Sequence, residues 1–196
     1  PSIRIHNALR NSVRNACAGL RMVAALCATI RAFSIYPKKK RYQDLTGSTL
    51  GYFPFHNSYH RDQQHRLFYF DTVIYDRLPG QPLHPSNILH IFPRKVTDRY
   101  TKEFLEKKGA RSIVVTDIPL ATQFLKEAFR AIRSIPLTPL PGTGVNGYEN
   151  VFKLIFWNLF FSKLPLKTYY ISYDSRFSKL ALTALSIQNK TSVSAT

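Results

Sequence analysis

Three histidines, His56, His60 and His65, lie close together in "FHNSYHRDQQH". His56 and His60 stand four residues apart, the spacing that sets two imidazoles on one helix face around a shared metal ion. Pro54 and the lack of apolar periodicity argue against a helix there, and Asp62 is the one carboxylate beside them. These histidines therefore read as surface or RNA-facing groups alongside Arg61 and Arg66, and no metal is expected. A second pattern, "GTGVNG", matches the phosphate-cradling spacing through Gly142, Gly144 and Gly147. A dinucleotide site needs a strand immediately before that turn. Here "IPLTPLP" precedes it, and prolines 136, 139 and 141 disfavour a strand, so the pattern reads as a loop.

Asp117 ends the run "SIVVTD", where α/β enzymes often carry an acid. It also precedes Pro119 at the start of a helical pattern, and capping that helix is the simpler role. No Ser-His-Asp arrangement, Walker loop, paired-carboxylate motif or HExxH pattern occurs. The expectation is a protein without catalytic residues, cofactor or small-molecule substrate. The one reading kept for an enzyme is an α/β site at the strand ends, near Asp117, His90 and Arg94.

What the chain has in abundance is positive charge: 28 Lys and Arg against 11 Asp and Glu, a net +17. Such an excess selects polyanionic partners, nucleic acid or an anionic membrane, and says nothing of fold. Lys38, Lys39, Lys40 and Arg41 run consecutively into Tyr42, and His60, Arg61 and Arg66 follow among Tyr52, Phe53, Phe55, Tyr59 and Phe68. Arg94 and Lys95 open a further basic stretch with Arg99, Lys102, Lys107, Lys108 and Arg111. Lysine and arginine neutralise phosphates and release counterions, and exposed rings stack on unpaired bases. The RNA-contacting set is therefore Lys38, Lys39, Lys40, Arg41, Tyr42, His60, Arg61, Arg66, Arg94 and Lys95.

The elements that must position these groups follow from periodicity. "RLFYFDTVIY" (66–75), "NILHIF" (87–92), "RSIVVT" (111–116) and "KTYYISY" (167–173) read as strands. Helices are predicted over 97–109, with Gly109 as its C-terminal cap, over 119–133, and over 175–187. The nearly all-apolar run 148–163 reads as a buried helix too short to span a bilayer. Strand–helix alternation implies right-handed crossovers and at least two parallel strands. The fold class expected is α/β, a small partly parallel sheet flanked by helices, with an extended basic N-terminal arm.

The segment 1–33 has a composition of its own. It holds Arg4, Arg10, Arg14, Arg21 and Arg31, and the first acid of the chain is Asp44. Acid-free sequence rich in Arg, Ala, Ser and Asn is that of a mitochondrial targeting peptide. Arg31-Ala32-Phe33-Ser34 resembles a matrix-protease cleavage signature, and Met22, the sole methionine, offers an alternative start. Cleavage there would remove both cysteines, Cys17 and Cys27, leaving a chain of net charge +12 with no thiol chemistry. The domain reading is thus a targeting segment (1–33), an extended basic and aromatic arm (34–66), an α/β domain (67–187) and a flexible tail (188–196).

These features together suggest a structural, RNA-contacting subunit of the mitochondrial ribosome in the matrix, with ribosomal RNA and ribosomal proteins as partners. The alternative is an accessory subunit of a respiratory complex or ATP synthase, with 151–161 against membrane subunits and the cations against anionic lipid.

Overall fold

The β-branched and aromatic runs assemble into one sheet. The computed structural model describes residues 2–36, 48–53, 78, 80–81, 84–93, 103, 105–135, 145–171 and 179–194. Five strands, β1 (Leu50–Phe53), β2 (Ile88–Phe92), β3 (Arg111–Val114), β4 (Thr168–Ile171) and β5 (Thr191–Ser194), lie in the order β3-β2-β1-β4-β5. Every pairing is parallel, beyond the partly parallel sheet expected. Parallel strands cannot be joined by tight turns and need crossover connections.

Besides the helical residues 103 and 105–107 that end at Gly109, the described residues hold the helices α1 (Ser2–Ala32), α2 (Ala121–Ser134), α3 (Val145–Ser162) and α4 (Lys179–Ile187). All four contribute to one apolar cluster with Leu89, Ile91, Phe53, Tyr169 and Ile171, which share a face of the sheet. At its centre lies α3, with Phe152, Phe156, Trp157, Phe160 and Phe161 all buried. Its apolar surface runs nearly all round because helices and sheet surround it. Trp157 stacks on Phe161, and Phe161 meets Tyr169 edge-on at 5.1 Å between ring centroids.

β1 is the central strand, yet it falls inside the segment 34–66 expected to form a basic arm. The remainder of that arm, 37–47 and 54–66, lies outside the described residues, as does the strand expected over 66–75. Only four residues pair in β1, and they are nearly all buried, so no polar alternation marks them. Gly51 is required there: a Cβ would stand 2.5 Å from Tyr169 Cδ1. β5 likewise occupies part of the segment 188–196 expected as a flexible tail, its residues paired in register with β4.

Helix ends are closed by backbone geometry. Gly109, at φ +63°, donates to the Glu106 carbonyl while Ala110 donates to Leu105, the paired bonds of a Schellman cap, with glycine at the position the sequence predicts. Ser34 (φ +49°) and Asn189 (φ +53°) close α1 and α4 in the same way. For α2 the first residue before the helix is Leu120, with no side-chain capping bond, so Asp117 does not cap it as expected. Asp117 instead ends a short 3-10 turn, Val115–Asp117, and is exposed.

Candidate functional site

All ten residues expected to contact RNA (Lys38, Lys39, Lys40, Arg41, Tyr42, His60, Arg61, Arg66, Arg94 and Lys95) lie outside the described residues, as do His56, His65, Gly142 and Gly144. Tyr52 and Phe53, counted among the stacking rings, are buried in β1 and unavailable to a base. Gly147 is the third residue of α3 rather than part of a loop. The described element before that glycine pattern is helix α2, not the strand a dinucleotide site needs.

Cations within the described residues stand on the outer faces of the helices and their connections. Arg10, Arg14, Arg21 and Arg31 on α1, Lys126, Arg130 and Arg133 on α2, and Lys163, Lys167 and Lys179 further on are all exposed. The pattern is a direct result of amphipathicity: the apolar stripe of α2, Ala121, Phe124 and Ala128, turns inward, leaving its basic residues outside. Glu127 takes a two-oxygen contact from Arg130, and Glu149 pairs with Lys153 at 2.6 Å. Surface pairs of this kind contribute under about 1 kcal/mol and leave the cationic field largely intact.

Lys190 differs from these. Its Nζ donates to the carbonyls of Phe161 and Leu164 at 2.6 and 2.7 Å, closing the C-terminal end of α3, and lies 5.6 Å from the Tyr169 ring. Partial burial lowers its pKa from the ordinary lysine value. A cation at a helix C-terminus meets both the free carbonyls and the negative end of the dipole, so Lys190 serves the fold rather than a ligand.

The sheet order creates a second place for function. Neighbours of β1 connect outward in opposite directions, through β2 on one side and β4 on the other. In open parallel sheets the crevice outside the carboxyl ends of strands at such a reversal is where ligands bind. The corresponding place here is beyond Phe53 and Ile171, at the carboxyl ends of β1 and β4, and the segments that follow them lie outside the described residues. Sequence reasoning missed this place because it took β1 for part of an arm.

One row across the sheet carries polar side chains: Ser112, His90, Tyr52 and Tyr170 are register partners on adjacent strands and share the face opposite α3. His90 is wholly buried, its Nδ1 lies 3.2 Å from the Arg111 carbonyl, and its ring meets Tyr52 edge-on at 5.5 Å. Burial pulls its pKa down to about 4, against the opposing pull of the Arg111 and Ile88 carbonyls. At neutral pH it is an uncharged core histidine. Asp117 is exposed and Arg94 lies outside the described residues, so the described residues do not assemble the polar pocket expected of the enzyme reading. Among them, no group of three or more His, Cys, Asp and Glu side chains is placed to hold a metal ion.

The run 151–161, expected against membrane subunits in the respiratory reading, is instead the middle of α3, with its rings turned into the core. No family model, curated protein or solved structure matches the chain.

Proposed function

We propose that this protein is a structural, RNA-contacting subunit of the mitochondrial ribosome. The observation that carries the reading is the charge: 28 basic against 11 acidic residues, with the described cations displayed on helix surfaces rather than gathered around a reactive group. A surface of this sign binds a phosphate backbone without needing a base-specific motif. The mitochondrial address rests on the acid-free, arginine-bearing composition of residues 1–33.

Sedimentation of the tagged protein from gently lysed mitochondria, with and without RNase, tests it. Co-migration with a ribosomal subunit, abolished by RNase treatment, is the expected result. Replacing Lys38, Lys39, Lys40 and Arg41 with Gln should then weaken RNA binding and flatten its salt dependence, by roughly 0.7–0.9 in logarithmic slope for each phosphate no longer neutralised. A free species of the protein's own mass, or a complex indifferent to RNase, refutes the reading.

A second reading is favoured by one observation, the reversal of strand order at β1. It is a matrix α/β enzyme or binding protein with its ligand in the crevice between β1 and β4. Fold alone does not choose a ligand. A rise in melting temperature with a nucleotide or other small anion, absent with RNA, would favour it.

A further inference from the structure

The first helix has two faces with different occupants. Ala18, Met22, Ala25 and Thr29 recur at helical spacing along its second half and are buried against the body, and Phe33 just beyond the helix stacks on Phe156 at 3.9 Å. Leu9, Val13, Ala16, Leu20, Val23 and Cys27 follow the same helical period but point the opposite way, and all are exposed. Their exposure is large for apolar groups: 66% for Leu9, 56% for Val13, 72% for Leu20 and 57% for Val23. The stripe runs for about 27 Å along the helix. Arg10, Arg14 and Arg21 share a flank about a third of a turn round from it. No acid occurs anywhere in the helix.

We infer that this outer face of α1 is a docking surface for an anionic lipid bilayer. An apolar stripe alone would suit many partners, and the charges beside it select one. RNA offers phosphates for the arginines but nothing for Leu9, Val13, Leu20 and Val23. A second copy of the chain would meet the stripe with its own and bring arginine against arginine. The boundary between headgroups and acyl chains of an anionic membrane accepts apolar side chains below and cations at headgroup level.

The helix between Asn7 and Ala32 is long and apolar enough to cross a membrane by length and composition. Arginines at 10, 14, 21 and 31 are spread along that span, each costly at the centre of a bilayer, and its second half is packed on α3. The helix therefore lies in the interface, with the domain seated on top of it. None of the ten residues expected to contact RNA lies on α1, and a protein with both surfaces would hold RNA near a membrane.

The test is co-sedimentation of the full 196-residue chain with vesicles of phosphatidylcholine alone, or with a quarter of it replaced by cardiolipin or phosphatidylglycerol. Binding to the anionic vesicles and not to the neutral ones is expected. Leu9→Gln, Val13→Gln and Leu20→Gln together keep the charge and should weaken binding at least about tenfold. These side chains are exposed, so the melting temperature should not move. Arg10→Gln, Arg14→Gln and Arg21→Gln should weaken binding most at low salt. Lys126→Gln with Arg133→Gln on α2 should leave it within about twofold.

Wild-type binding by the Leu9, Val13 and Leu20 variant overturns the inference, as does an equal loss from the α2 variant, which would mean generic charge attraction. A dimer or an acidic protein partner held through the stripe, without vesicle binding, overturns it too. So does recovery from mitochondria of a protein beginning at Ser34, which lacks the helix.

Discussion

Helices α1 and α3 divide the apolar surface of the molecule in opposite ways. The run inside α3 is the more apolar; its sequence reads as a buried helix, and only the respiratory alternative sets it against membrane subunits. It is the core of the molecule, its rings packed on the sheet and covered by the other helices. α1 carries four exposed arginines and has the composition of a discarded leader, yet half of it is packed into that core. Its outer face is the one that shows an apolar stripe to solvent. Total hydrophobicity thus marks what is buried. The angular distribution of apolar residues, set against what already covers each face, marks what is offered to a partner.

The largest effect that sharpens this contrast comes from α3. Phe156→Ala removes a ring that touches Phe33, Trp157 and Phe160, and should cost about 3–5 kcal/mol in a denaturant titration. A loss below about 1 kcal/mol would mean that α1 and α3 do not pack as described.

Acid should next act on the sheet rather than on either helix. His90 is held neutral when folded, with a pKa of about 4, while the unfolded chain takes up the proton near the ordinary value of 6.5. The unfolded state therefore binds more protons between those values. Stability contributed by the neutral ring is present above pH 6.5 and is lost as pH falls towards 4, by roughly 3 kcal/mol in all. His90→Phe should flatten that part of the pH–stability curve, and an unchanged slope would remove His90 as its cause.

Lys190→Met removes the charged donor to the Leu164 carbonyl and to the Phe161 carbonyl, which keeps only the Leu164 N–H, and should cost roughly 1.5–3 kcal/mol by the same titration. At the corresponding end of α1 the change runs the other way. Ser34 sits at φ +49°, a conformation glycine adopts without penalty, so Ser34→Gly should raise stability by about 0.5–1 kcal/mol. Smallest of all, Leu20→Ala on the outer face of α1 should stay within about 0.5 kcal/mol of wild type, because that side chain is solvated already. A large loss there would show that the face is covered within the protein itself.

The elements with strong periodicity were legible in the sequence. β2 and α2 lie close to the expected ranges, and Gly109 closes its helix as predicted. Within the range 119–133 expected for α2, Leu120, Phe124 and Ala128 are buried, whereas Leu125 is exposed. The central strand β1 and the edge strand β5 were not legible, whereas the other edge strand, β3, was. β1 is four residues with a glycine among them, and β5 is Thr-Ser-Val-Ser, polar enough to read as a tail. Both are strands because a neighbour supplies the hydrogen-bond partners, a condition no local pattern encodes. Asp117 was a reasonable cap by spacing, but the chain turns through a 3-10 segment first and leaves it in solvent. Of the candidate RNA contacts, the sequence supplied the type and number of charges. Their arrangement involves residues 37–47, 54–66 and 94–95, outside those described.

By itself the sequence determined the α/β class, the sign and size of the charge, and the identity of most helices and strands, since composition and periodicity are local properties that survive without a fold. The tertiary structure decided that the sheet is wholly parallel, that its order reverses at β1, that His90 is buried and neutral, and which face of α1 is left open. Each of those depends on what packs against what, and burial exists only once distant segments have met.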